Sequence, residues 1–239
     1  MRILNNVTYW LFVSCLPALL ISATVAFEFN SLGLYTGGFE KYHVSETTGL
    51  AQTELEKSAR GLISYFNSDE EYLSLTVEKD GQPFALFSER EIEHLKDVKA
   101  LVRLNTQLLL GTAIYVGAYV GFILFRQRKK QLHRLAWGVV IGSGISLGII
   151  LALGIGSMLN FDQLFTQFHF LAFTNELWML DPSRDYLIML FPPGFWFDAA
   201  VLLGQIVAGN AGTLGGVAGG YLWLARRRAK AQNTEDSAA

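Results

Sequence analysis

Residues Phe161 to Asp198 read FDQLFTQFHFLAFTNELWMLDPSRDYLIMLFPPGFWFD. Phe161, Phe165, Phe168, Phe170, Phe173, Trp178, Tyr186, Phe191, Phe195, Trp196 and Phe197 make the stretch densely aromatic. Asp162, His169, Asn175, Glu176, Asp181, Arg184 and Asp185 interrupt the apolar runs too often for a bilayer span. Aromatic side chains mixed with charges suit the headgroup level, where one side of an element meets acyl chains and the other meets water. Residues 160–194 therefore form an interfacial segment between membrane spans. A helix is expected over Phe161 to Leu180, with Asp162, Thr166, His169, Phe173 and Glu176 along one face. Asp181 to Asp185 gives a turn, because proline fixes φ and Asp and Ser bond nearby backbone. Tyr186 to Phe191 is a short apolar element stopped by Pro192-Pro193-Gly194.

The rest of the chain fits a membrane protein. It has 239 residues, 51% of them hydrophobic, which is too apolar for an ordinary soluble domain and long enough for several spans. The net charge of -2 hides a segregated pattern, and no nucleic-acid partner is expected. Cys15 is the single cysteine, so an intrachain disulfide is impossible, and its place in the first apolar run suits a buried structural thiol.

The first span is residues 7–27, read as retained rather than as a cleaved signal peptide. Residues 28–103 have the composition of a small soluble α+β domain. Leu55, Ala59, Leu62 and Phe66 recur at helical spacing, while Tyr72 to Lys79, Asp80-Gly81 and Pro83 to Phe87 read as a hairpin. A helix and a hairpin make a thin core, so this domain is expected to pack on the membrane face and the interfacial segment. Ser88-Glu89-Arg90-Glu91 is a capping-box pattern opening a helix that continues into the second span, 104–125. Arg126, Arg128, Lys129, Lys130 and Arg134 mark a basic loop, 126–134, before the third span, 135–159. The fourth span is 195–225, followed by Arg226, Arg227, Arg228 and Lys230 in a tail, 226–239, that is irregular from Ala229. Basic span ends stay cytoplasmic, so both termini are expected inside and the 28–103 domain and aromatic segment outside. Gly117 and Gly121, Gly138 and Gly142, Gly144 and Gly148, and Gly212, Gly216 and Gly220 repeat at four-residue spacing, a pattern that allows close helix packing in lipid. The fold class is thus an integral membrane all-α core of four transmembrane helices, with a small extracytoplasmic α+β domain and an aromatic interfacial segment.

Of four histidines, His133 lies in the basic loop and His43 has no recognisable context. Topology puts His94 and His169 at the same membrane surface, where two imidazoles can shuttle a proton at neutral pH. Each also fits a surface or packing role. A metal site using Asp97 or Glu176 lacks a recognisable ligand spacing, so no metal is expected. Haem-ligating histidines would sit deeper in a bundle, and no cofactor is expected. No GxSxG elbow or phosphate-binding loop is present.

The string EREIEHLKDVK, Glu89 to Lys99, resembles the bacterial lipoprotein intramolecular transacylase family, Lit. So does the ordered set Phe168, His169, Phe173, Thr174, Asn175, Trp178, Leu180, Asp181, Pro182, Asp185, Leu187, Ile188, Phe191 and Pro192. The resemblance implies transfer of an acyl chain from the sn-2 position of a lipoprotein's S-diacylglyceryl cysteine to that cysteine's α-amine. The product is the lyso-form. It implies diacylated lipoproteins and membrane lipid as partners and the bacterial cytoplasmic membrane as location; the oligomeric state stays open, with a monomer fitting the sequence. The family's two histidines map onto His94, assigned as base, and His169, assigned to the developing alkoxide. Asn175 and Arg184 either hold the oxyanion or glycerol oxygens or lock the Asp181 turn. Asp97 either orients His94 or pairs with Lys96 or Arg103. Trp178 and the phenylalanines, Phe173 among them, line an acyl groove and anchor the interface. Two other readings stay open: a non-catalytic partner of lipidated proteins, and a hydrolase that gives the acyl chain to water.

Overall fold

The computed structural model describes residues 2–126 and 129–236. In chain order it contains α1 (Arg2–Phe29), α2 (Leu32–Lys41), α3 (Val44–Thr48), α4 (Gln52–Phe66), β1 (Thr76–Lys79), β2 (Gln82–Ala85), α5 (Glu89–Arg126), α6 (Lys129–Ala172), α7 (Tyr186–Leu190) and α8 (Pro193–Asp236). The helices α1, α5, α6 and α8 are long and apolar enough to cross a membrane. The chain is an integral membrane protein with a helical core and a small two-stranded sheet.

The 38 residues of α5 make a helix of roughly 57 Å, nearly twice the hydrocarbon thickness. Only its second part, Leu104 to Phe125, is free of charged residues, whereas Glu89 to Arg103 is densely charged. Likewise α6 is free of charge from Leu135 to Phe161. Asn160 interrupts it with non-helical backbone (φ -161, ψ 90), and its Oδ1 accepts from Gln163 N at 3.0 Å. Asn160 thus acts as an N-cap that starts a fresh helical segment carrying His169.

The chain divides into two compact units. One comprises the described residues of Met1–Thr24, Gln107–Leu153 and Gly204–Ala239. Tyr9, Phe12 and Val13 of α1 form a buried cluster with Ile123 and Leu135. Gly138 faces the Tyr9 and Phe12 rings and Gly142 faces Leu16, so this pair does sit at a close helix approach. Gly117, Gly121, Gly144, Gly148, Gly212, Gly216 and Gly220 have open space where a side chain would be, so among the described residues they meet no close helix partner.

The other unit comprises Val25–Thr106 and Gly154–Leu203. The helical repeat of α4 buries Leu55, Ala59, Leu62 and Phe66. The hairpin pairs Thr76 with Ala85 and Lys79 with Gln82, and closes through Asp80 and Gly81 at φ 54 and 73, the paired left-handed turn that Asp-Gly favours. These elements share one core with Leu187, Leu190, Phe191 and Phe195, so the thin domain gains the apolar residues it lacked. The capping box forms as expected and does more. Glu91 Oε2 accepts from Ser88 N and Ser88 Oγ at 2.7 and 2.8 Å, and Oε1 accepts from Leu187 N at the start of α7 at 2.7 Å.

Three further expectations need correction. The helix expected to reach Leu180 ends at Ala172. Beyond it Asn175 accepts from Leu177 N and Arg90 binds carbonyls of residues 176–179, diverting backbone from the helical ladder. The tail expected to be irregular from Ala229 is helical through Asp236, because no proline or glycine follows to stop α8, while residues 237–239 lie outside those described. Of the basic loop, Arg128 lies outside the described residues; Arg126 ends α5 and Lys129 opens α6.

Candidate active site

Within the second unit lies a cavity of about 520 Å³. Its wall is built from the end of α1, α2, α4, α5 from His94 to Asn105, the segment of α6 beyond Asn160, the 173–180 loop, α7 and the start of α8. Leu, Val and Phe side chains dominate it, so the few polar groups stand out: Glu28, His94, Asn105 and His169.

His94 lies one turn past the capping box and is 6% exposed. His169, on the segment capped by Asn160, is 7% exposed. Their ring centroids are 6.2 Å apart. His169 Nδ1 is 2.7 Å from Phe165 O. A carbonyl only accepts, so Nδ1 carries the proton and neutral His169 keeps a lone pair on Nε2. His94 Nδ1 is buried with no partner. No hydrogen bond among the described residues fixes which His94 nitrogen carries the proton, so its Nε2 is free to be a donor. Burial, and then the charge of His169, push the His94 pKa down to about 4. Burial also lowers that of His169, against the opposing effect of the Phe165 bond. Both rings are therefore neutral near pH 7, and the Nε2 lone pair of His169 is arranged to accept a proton.

Phe173 packs against both rings, with centroids 5.1 Å from His94 and 5.6 Å from His169. Trp178 lies 4.9 Å from His169 and meets Phe170 edge-on. These four sequence-predicted residues come together at the cavity; Asn175, Asp97 and Arg184 do not line it. Asn175 Nδ2 donates to Asp97 Oδ2 at 2.8 Å, so Asp97 holds the loop and makes no hydrogen bond to His94. Lys96 and Arg103 pair instead with Glu71 and Asp69. Arg184 is exposed, 3.7 Å from both Asp181 and Asp185, beside the turn. No group of three or more His, Cys, Asp or Glu is placed to hold a metal among the described residues.

Three roles escaped the sequence reading. Arg90 donates from Nη2 to Glu176 O and Met179 O at 2.7 and 2.8 Å, fixing the loop that carries Trp178. Glu91 joins the start of α5 to α7. Glu28 is 8% exposed and lines the cavity, and its Oε1 has no donor. The signal for Glu28 was present: it is the first acidic residue of the chain and closes a long uncharged run.

Comparison with known proteins agrees with the fold. A lipoprotein intramolecular transacylase of Bacillus cereus, solved in meso, superposes with a TM-score of 0.76 at 17% identity, covering 95% of this chain and 100% of that one. A variant of that protein with a histidine replaced by arginine gives a TM-score of 0.69 at 21% identity, covering 95% of each chain. An uncharacterized protein of Aquifex aeolicus (strain VF5) is 29% identical over 118 residues, and the match spans only about half of either protein, 49% of each. The family model for lipoprotein intramolecular transacylase Lit matches residues 10–196, a range that includes both cavity histidines and Glu28. The chain therefore belongs to the lipoprotein intramolecular transacylase family, Lit.

Proposed function

We propose that the protein moves an acyl chain from the sn-2 position of a lipoprotein's S-diacylglyceryl cysteine to the α-amine of the same cysteine. The observation that carries this is the pair of buried histidines, ring centroids 6.2 Å apart, on the wall of a largely apolar cavity. The reaction is ester aminolysis. Donor and acceptor belong to one molecule, so holding them in one cavity supplies much of the acceleration without an acyl-enzyme. The tautomer of His169 supports giving its Nε2 the base role, in place of the His94 assigned from sequence. It takes the proton of the attacking amine, and that proton then passes to the departing glycerol oxygen. His94 donates to the carbonyl oxygen as charge develops there. Phe173 and Trp178 line the acyl side of the cavity, while Asn175, Asp97 and Arg184 shape the loops around it.

The substrate is a diacylated bacterial lipoprotein, met in the cytoplasmic membrane. Arg126, Arg134 and Arg226 to Arg228 flank the spans, which supports a cytoplasmic position for both termini and an extracytoplasmic one for the cavity. The test is purified protein with a synthetic S-diacylglyceryl peptide. Conversion to an isomer of unchanged mass carrying an N-linked chain is expected, with His169→Gln and His94→Gln inactive yet folded. Release of free fatty acid without N-acylation would overturn the transferase reading.

A further inference from the structure

Glu28 is the one carboxylate on the cavity wall among the described residues. It is 92% buried, forms no ion pair among the described residues, and leaves Oε1 without a donor. Stranding a carboxylate oxygen in apolar surroundings is costly unless a donor arrives with the ligand. Nothing in the histidine chemistry employs it. The substrate proposed above brings one matching group. The α-amine of an N-terminal cysteine is largely protonated at neutral pH, its pKa being roughly 8. An apolar cavity rejects an ammonium group unless an anion meets it there.

We propose that Glu28 is the binding site for the α-ammonium group of the substrate and the acceptor of its first proton. This rests on the transacylase function proposed above. The ammonium enters opposite the carboxylate and transfers one proton, giving a neutral amine and a neutral carboxylic acid, a pair better suited to low dielectric than two ions. The amine nitrogen then attacks the ester carbon, its next proton goes by His169 to the glycerol oxygen, and the C–O bond breaks. The amide product carries no charge. Glu28 returns its proton to water when the product leaves. Protons balance, with one released per ammonium consumed, and loss of the cation gives the enzyme a reason to prefer substrate over product.

The test separates binding from chemistry. Two ether-linked S-dialkylglyceryl peptides, unable to donate an acyl group, are titrated into the full-length protein in detergent, one with a free α-amine and one N-acetylated. Wild type is expected to bind the free amine at least about tenfold more tightly, the range for a hydrogen bond to a charged group. Glu28→Gln, which keeps the shape and loses the charge, should bind both alike; Glu28→Asp should retain part of the preference. Equal binding of both peptides by a wild type that still converts the ester-linked substrate overturns the role of Glu28 and leaves the transacylase function standing. An undiminished preference in Glu28→Gln overturns it too. A wild type that does not N-acylate the ester-linked peptide removes the transacylase function, and the proposal with it. If Glu28→Gln does not fold, the two-peptide comparison on wild type decides alone.

Discussion

Replacing Glu91 with alanine removes three accepted hydrogen bonds at once, those from Ser88 N, Ser88 Oγ and Leu187 N. The side chain is 2% exposed, and of its donors only Leu187 N is buried. The Ser88 hydroxyl already accepts from Glu91 N at 3.4 Å and can reorient, and Ser88 is exposed, so its N–H turns to water, whereas the N–H of buried Leu187 stays stranded. At about 1–3 kcal/mol for a stranded buried donor, the loss is roughly 1–3 kcal/mol. At about 2–4 °C per kcal/mol for a chain of this size, a loss near 2 kcal/mol lowers the unfolding midpoint by roughly 4–8 °C. Thermal unfolding followed by tryptophan fluorescence in detergent measures this, and amide hydrogen exchange at Leu187 reports the local end of the same bond. Glu91→Gln should fall between, because its carbonyl oxygen keeps one backbone donor. An unfolding midpoint for Glu91→Ala within about 1 °C of wild type, with Leu187 exchange unchanged, would refute the reasoning.

Substituting His169 or His94 with glutamine should lower the transfer rate by about 10²–10⁴ with the unfolding midpoint retained; a loss of only a few-fold at either position would remove that residue from the chemistry. His94 is held at about 4 in the folded chain against roughly 6.5 unfolded, so the unfolded state takes up the proton first as pH falls. Stability should be full above about pH 6.5 and decline towards pH 4 by roughly 3 kcal/mol, and His94→Gln should flatten that slope in denaturant titrations. A methyl group at Gly194 would lie 2.5 Å from the Tyr42 ring, whose hydroxyl is fixed on Asp198 at 2.7 Å; Gly194→Ala should cost about 1–3 kcal/mol in the same assay. Arg90→Ala frees three carbonyls around Trp178, so protease cleavage within 174–180 should quicken while α5 keeps its helical content by circular dichroism.

Helix α4, the Asp80-Gly81 turn and the capping box were legible because each rests on local chemistry: a 3.6-residue repeat, a left-handed turn, a side chain reaching three residues along. The meeting of His94 and His169 was legible through topology, since each follows or precedes a charge-free span at the same surface. What long-range contacts decide was not. Asp97 looked like a partner for the histidine one turn before it, yet the amide of Asn175, distant in sequence, claims its carboxylate. Arg184 reads equally well as a ligand or a turn lock, and only its exposure beside Asp181 separates the two. Arg90 was read as part of a cap because its three carbonyl partners lie more than eighty residues away. Glycine spacing shows where helices are able to approach, not whether a neighbour is present, so Gly138 and Gly142 look no different from Gly144 and Gly148.

The most direct measurement is mass spectrometry of the N-terminal lipopeptide of an abundant lipoprotein, from a bacterium that lacks every N-acylating lipoprotein enzyme and expresses this chain. One acyl chain should move from glycerol to the amine at unchanged total mass, and His169→Gln should abolish the shift. A diacylglyceryl cysteine that keeps its free amine in the presence of well-expressed, membrane-inserted protein would contradict intramolecular transacylation.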